Sequence, residues 1–251
     1  MPYAILKSKE QIATMRQAGR VVAEVLAIVS EAVKPGVNTL ALDRIAREEV
    51  GRRNATPAFL GYRGYPASIC ASINQEIVHG IPRADRVLKE GDIVSLDFGA
   101  ILDGYYGDSA VTVPVGHVSA KARLLLTTTQ EALELAIHKV RAGKRLGDVG
   151  STVQQHAESR GLSVVRKYVG HGIGQRMHEP PEVPNFGEPR KGALMKPGMV
   201  LAIEPMVNQG TWETRELDDG WTVVTADGKL SAHFEHTVAV TEDGPEVLTL
   251  P

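Results

Sequence analysis

Four acids in this 251-residue chain, Asp97, Asp108, Glu204 and Glu235, stand where apolar strand-like runs would hold them. Asp97 closes the run Ile93–Asp97, Asp108 opens the run through Ser109–Val113, Glu204 closes Met199–Glu204, and Glu235 lies in Phe234–Val240. Alternation puts Ser95 on the face of Asp97, Ala110 and Thr112 on that of Asp108, Ala202 on that of Glu204, and Thr237 and Ala239 on that of Glu235. Such small or hydroxyl-bearing neighbours leave room above the carboxylates. Ionised acids in apolar strands are expensive unless paired or bound to metal, and the flanking strands hold no arginine or lysine before Lys229. Two divalent cations would balance the four carboxylates. Oxygen donors with one imidazole suit manganese, iron, cobalt or zinc without choosing among them. Singly, Asp97 before Phe98-Gly99 and Asp108 also read as turn caps, and Glu235 as a solvent-facing edge residue. Their joint occurrence favours the metal.

Histidine supplies the nitrogen. His171 lies in Gly170-His171-Gly172-Ile173-Gly174, a permissive backbone that can be bent to aim a side chain. A phosphate loop is the rival reading of those glycines, but dinucleotide spacing and a Walker lysine are both missing. His178 follows seven residues later, before Glu179-Pro180-Pro181, where the prolines forbid the helical His-Glu-x-x-His zinc pattern. His79 and His178 also read as satisfied core histidines. Nucleophilic chemistry is poorly served: no Gly-x-Ser-x-Gly is present, and Cys70 reads as a small buried hydrophobe. Acid-base chemistry without metal needs two carboxylates and leaves the other two unexplained.

Elements able to hold these groups are legible. Ser8 with Gln11 forms a capping box before a helical run from Ile12 that stops at Pro35-Gly36, and a second helix begins near Thr39. Asn54–Pro66 reads as a loop carrying Phe59, Tyr62 and Tyr65. A long helix fits from Ser119 to about Val140, with Leu124, Thr128, Leu135 and Ile137 inward, and another from about Gly147 to Ser159. A weak repeat relates Val33, Gly36, Lys89, Gly91 and Asp97 to Val140, Gly143, Lys196, Gly198 and Glu204, each 107 residues on. The expectation is an α+β chain forming one catalytic domain over residues 1–251, with pseudo-repeats near 8–115 and 119–245.

Composition narrows the class. Hydrophobic residues at 43% and charged residues at 23% are ordinary for a globular chain, and 28 basic against 30 acidic residues argue against nucleic acid as a specific partner. A single cysteine permits no internal disulfide, no apolar h-region opens the chain, and no stretch approaches the roughly 18 apolar residues of a membrane span. A cytoplasmic location and no membrane partner are expected.

Taken together, Ile77–Pro82, Ser95-Leu96-Asp97, Gly104–Asp108, Gly170–Gly174 with His178-Glu179, Ile203-Glu204-Pro205 and Glu235-His236-Thr237 resemble the type I methionine aminopeptidases, a pita-bread metallopeptidase family. The resemblance runs from the first helix to the last strand. It implies the pita-bread fold, two pseudo-symmetric αβ halves around a curved antiparallel sheet. It also implies two divalent metal ions held by Asp97, Asp108, His171, Glu204 and Glu235, with Asp108 and Glu235 bridging. Metal-activated water would be the nucleophile, with Glu204 handling its proton. His79 would lie near the first amide nitrogen of the substrate, and His178 would hydrogen-bond the scissile carbonyl. Phe59, Tyr62, Tyr65, Cys70, Met177 and Trp221 would surround the methionine side chain. Phe59 and Met177 depart from the commoner cysteine and phenylalanine at those places. The implied substrates are peptides and nascent chains with an N-terminal methionine and a small second residue. A transient ribosome contact and a monomeric state complete the expectation.

Overall fold

A computed structural model describes residues 4–251, so Met1–Tyr3, at the start of the segment read for a leader, lie outside the described residues. Helix α1, Lys9–Glu31, starts at the expected capping box: Gln11 N–H donates to Ser8 Oγ, and Ser8 N–H donates to Gln11 Oε1. Its buried stripe of Met15, Val22, Val25 and Val29 has helical spacing. Helix α2, Thr39–Arg52, is capped by Asn38, whose Oδ1 accepts from Ala41 N–H. Helices α3, Ala120–Ile137, and α4, Leu146–Glu158, pack on the other half of the chain. The inward stripe of α3 is Ala122, Leu125, Thr129, Ala132, Leu133 and Ala136, whereas Leu124 and Leu135 are 47% and 40% exposed. That corrects two expected core positions. The run of leucines from Leu124 to Leu126 left the helical phase ambiguous by one residue, and the small alanines mark the true face.

The central antiparallel sheet runs, in spatial order, Thr56–Pro57, Ile93–Leu102, Tyr105–Pro114, Glu235–Val240, Val200–Ile203, Gly170–Gly172 and Glu179–Val183. Cys70–Ile73 pairs with Ile93–Leu102, and Pro245–Val247 with Glu235–Val240. Asp97 does not close its strand, nor does Asp108 open one: the strands of this hairpin are longer than expected and both acids lie within them. The turn is Asp103-Gly104, with φ of 49° and 77°, the paired positive values of a tight hairpin turn. Gly99, read as part of a turn, is instead a close-approach glycine. A Cβ there would lie 2.9 Å from the Phe59 ring. The Asn54–Pro66 tract contributes the short strand Thr56–Pro57 and a 3₁₀ turn at Tyr62–Gly64.

The 107-residue echo has a structural counterpart in backbone hydrogen bonds. Gly36 N–H donates to Leu88 O at 2.9 Å and Leu88 N–H to Val37 O at 2.8 Å; Gly143 N–H donates to Met195 O at 3.1 Å and Met195 N–H to Lys144 O at 2.8 Å. Each donor and acceptor of the second set lies 107 residues after its counterpart. Among the described residues, no helix is long and apolar enough to cross a membrane.

Candidate metal centre

Strand register brings the acids together. Asp97 pairs with Ala110, which pairs on its other side with Glu235, so the two acids flank one alanine across three strands. On the next strands Ala202 lies between Thr237 and His171. The small residues expected on the acidic face are therefore its floor. Thr237 fixes Asp108 through the backbone: Asp108 N–H donates to Thr237 Oγ1 at 3.1 Å, and that hydroxyl donates to Asp108 O at 2.7 Å. Ser95 Oγ and Thr112 Oγ1, 2.9 Å apart, continue the same face.

Asp108, His171 and Glu235 each offer one ligand atom to a group whose members lie within 4.8 Å of one another. His171 Nε2 stands 3.6 Å from Glu204 Oε1. His171 Nδ1 is 2.9 Å from Gly172 O; the carbonyl only accepts, so the neutral ring carries its proton on Nδ1 and leaves the Nε2 lone pair free. Burial pushes the His171 pKa down to about 4, which keeps the ring neutral. The glycines around His171 serve close packing rather than positive φ. A Cβ on Gly174 would meet Glu179 Oε1 at 2.8 Å, and one on Gly170 would meet Val183 Cβ at 3.1 Å.

The electrostatics call for a cation. Burial, then the neighbouring acids, pushes the pKa values of Asp97, Glu204 and Glu235 well above the ordinary carboxylate range, and burial raises that of Asp108. Asp97 Oδ1, Asp108 Oδ1 and Glu235 Oε1 are buried without a hydrogen-bond partner among the described residues. Among the described residues, no lysine or arginine forms an ion pair with any of the four acids. A donor set of hard oxygens plus one imidazole, uncompensated by protein charge, fits divalent metal of the transition series.

Above this floor is a cavity of about 290 Å³. The expected site residues all line it: Asp97, Asp108, His171, Glu204 and Glu235 at the polar end, with His79 and His178, and Phe59, Tyr62, Tyr65, Cys70, Met177 and Trp221 around the rest. Phe59, Tyr65, Cys70 and Met177 form one buried apolar cluster against which Tyr62 and Trp221 pack. The Tyr65 hydroxyl lies 3.1 Å from both Ile69 O and Gly80 O, which share its one proton, and its ring meets Trp221 edge-on at 5.1 Å. His79 is held at φ 61°, an uncommon conformation for a non-glycine residue, with its ring edge-on to Tyr168 and Trp221. His178 stands at the mouth, stacked on Tyr62 at 5.4 Å, with its Nδ1 2.8 Å from the Tyr62 hydroxyl. Desolvation, then His171, Arg63 and His79, hold its pKa below the ordinary value.

Several lining residues were not foreseen: Arg63, Val78, Tyr168, Val169 and Met206. Arg63, Tyr168 and Val169 lie in turns and loops without periodic signal, and Val78 and Met206 sit at the ends of three-residue strands too short to show alternation. His233 was also missed, although it precedes Glu235 by two residues and shares its face under strand alternation. A larger groove of about 910 Å³ adjoins the cavity and shares Arg63, Val169, His171 and His178 with it.

Residues 13–242 match the metallopeptidase family M24. The chain belongs to metallopeptidase family M24. Within the family it is 52% identical to a methionine aminopeptidase of Clostridium acetobutylicum over 98% of both chains. It is 50% identical to methionine aminopeptidase 1 of Bacillus subtilis, again over 98% of each. The crystal structure of a methionine aminopeptidase from Thermotoga maritima superposes with a TM-score of 0.98 at 44% identity, covering 99% of this chain and all of that one. A Xaa-Pro dipeptidase of Bacillus anthracis, 22% identical with a TM-score of 0.78, shares the M24 fold, and the chain covers 62% of it. The antiparallel sheet with helices on its outer faces is thus the pita-bread architecture.

Proposed function

We propose that this M24 chain is a methionyl aminopeptidase, hydrolysing the bond after an N-terminal methionine when the second residue is small. The observation that carries the reading is one cavity with two unlike ends: unpartnered buried carboxylates with His171 at one, and the apolar cluster of Phe59, Tyr65, Cys70 and Met177 at the other. An unbranched, polarisable thioether suits such walls. The relatives bearing the methionine aminopeptidase name support the same choice.

Asp97, Asp108, His171, Glu204 and Glu235 would hold two divalent cations, cobalt, manganese, iron or zinc, with Asp108 and Glu235 shared between them. Bound there, such ions lower the pKa of water and polarise the scissile carbonyl. The protein's own groups do the rest. Glu204 accepts a proton from the attacking water as the C–O bond forms and the carbonyl pair moves onto oxygen, then passes that proton to the amine nitrogen, so the C–N bond breaks as the pair returns to re-form the carbonyl. His178, when the Tyr62 hydroxyl donates to its Nδ1, carries its proton on Nε2 and presents that N–H to the carbonyl oxygen as charge develops. His79 faces the first amide nitrogen from beneath Trp221. The adjoining groove receives the rest of the polypeptide, including a nascent chain during a transient ribosome contact. The buried, unpaired Cys70 is compatible with cytoplasm. The internally repeated halves make one catalytic domain and favour a monomer.

The test is metal analysis together with methionine release from Met-Ala-Ser against its norleucine, valine and leucine analogues, and from a series varied at the second position. Tight stoichiometric metal, preference for methionine, and rates for alanine or glycine far above those for phenylalanine or lysine are expected. Equal release with alanine and phenylalanine at the second position removes the proposed specificity.

A further inference from the structure

His233 is a side chain at the carboxylate cluster to which the proposed reaction gives no task. It is 2% exposed, neither ring nitrogen has a hydrogen-bond partner among the described residues, and Nε2 lies 3.8 Å from Glu204 Oε2 and 3.9 Å from Glu235 Oε2. A buried imidazole with both nitrogens idle is costly, and a neutral ring is obliged to offer one N–H somewhere. Its backbone is pinned on both sides by one hydroxyl: His233 N–H donates to Thr112 Oγ1 at 2.9 Å, and Thr112 Oγ1 donates to His233 O at 2.7 Å. Glu204 and Glu235 line the cavity, but His233 does not. The ring therefore stands behind the carboxylates, where substrate does not reach.

We propose that His233 is a positioning residue whose Nε2–H donates to the outer carboxylate oxygens of Glu204 and Glu235, orienting both acids so that their inner oxygens serve a cation. Both separations exceed an ordinary hydrogen bond by less than about 1 Å, so a small rotation of either carboxylate closes the bond. Two nearly equidistant acceptors share one donor, which couples the orientation of the proposed proton carrier, Glu204, to that of the proposed bridging ligand, Glu235. Outer partners of this kind commonly set ligand direction and are worth about 10–100-fold in metal affinity or activity. Direct ligation by the same nitrogen is disfavoured by its place behind the acids and outside the cavity. The inference rests on the cation-holding role of the cluster.

The experiment compares His233→Leu, of similar bulk with no donor, and His233→Gln, whose amide N–H can reach the Nε2 position. Calorimetric titration with cobalt and the visible absorption bands of the cobalt-loaded protein are recorded beside kcat and KM for Met-Ala-Ser. The leucine variant should lose about 10–100-fold in cobalt affinity, shift the bands, and lose kcat more than it raises KM. Glutamine should restore affinity and bands to within a few-fold of the parent. A leucine variant with parental affinity and bands overturns the proposal, and so does a folded glutamine variant as damaged as leucine, which would make the ring itself a ligand. Should the leucine variant fail to fold, nitrogen-labelled parent protein loaded with a spin-active cadmium isotope decides. Scalar coupling at His171 and none at His233 is expected, and coupling at His233 overturns the proposal. Failure of the underlying reading looks different: the parent protein itself would bind no cobalt.

Discussion

Lys7 and Glu179 form a buried ion pair across the molecule, with Nζ 2.6 Å from Oε2 and side chains 4% and 2% exposed. Glu179 also accepts from Arg176 N–H through Oε1 at 3.2 Å, and it directly follows His178. The segment before α1 is thereby tied to the edge strand that carries the cavity mouth. Lys7→Met should destabilise the protein by about 3–5 kcal/mol, because it strands a carboxylate away from water. Replacing Glu179 with leucine in that background should recover most of the loss. Urea unfolding of the two variants checks this, and a double variant no more stable than the single contradicts it.

Removing a ligand acid should separate binding from folding. Asp108→Ala and Glu235→Ala should each abolish hydrolysis and weaken divalent-metal binding by orders of magnitude. The metal-free variants should nevertheless unfold at the same temperature as the metal-free parent or higher. Each lost carboxylate is one whose ionised form burial disfavours, and for Glu235 the neighbouring acids add to that effect. Scanning calorimetry with and without chelator is the measurement, and wild-type hydrolysis in either variant defeats the ligand assignment.

The Tyr62–His178 contact predicts graded kinetics. His178→Ala should lower kcat/KM by about 10²–10³, the scale of one lost oxyanion donor, with metal affinity nearly unchanged. Tyr62→Phe leaves the ring in place but frees Nδ1 to take the proton, so about a tenfold loss is expected. His171→Ala should instead weaken metal binding directly. A His178→Ala protein that loses metal as badly as His171→Ala would exchange the two roles.

Met177, 2% exposed in the apolar cluster, should set the size of the first residue. Met177→Gly opens space beside Phe59 and Tyr65, so leucine peptides should gain on methionine peptides by an amount on the scale of about 1–3 kcal/mol per methylene. Methionine hydrolysis should itself fall modestly. The ratio of kcat/KM for Leu-Ala-Ser to Met-Ala-Ser in parent and variant decides; an unchanged ratio with an intact fold puts Met177 outside the pocket.

His79 should make the protein acid-sensitive. Burial lowers its folded pKa to about 4 from an ordinary 6.5. Between those values the unfolded chain binds a proton that the folded protein refuses. The contribution is thus fully present above pH 6.5 and is lost as pH falls towards 4, by at most about 3 kcal/mol. His79→Gln should flatten that part of the stability curve. Urea midpoints at a series of pH values test it, and parallel curves for parent and variant would show that the ring titrates freely.

The proposed ligand set and the start of the first helix were legible along the chain, because both depend on residues close in sequence. The Ser8–Gln11 box set the start of α1, and each of the five proposed metal ligands carried its own local signal: an acid in an apolar strand, or a histidine among glycines. The 107-residue echo pairs Gly36 with Gly143, and the two glycines donate matching backbone hydrogen bonds in the folded chain. Local patterns could not place the Asp97–Asp108 turn, because Gly99 is excluded from a side chain by Phe59, forty residues earlier, rather than by any turn of its own. Nor could they phase α3 between Leu124 and Leu125, a choice made by packing against the second-half core. His233 became visible only when strand pairing set it behind Glu204 and Glu235, and the Lys7–Glu179 pair only when the chain ends of one half met the edge strand of the other. Sequence carries short-range propensity and donor chemistry; distances between groups far apart in the chain are set by sheet register and close packing, which exist only once the whole chain has folded.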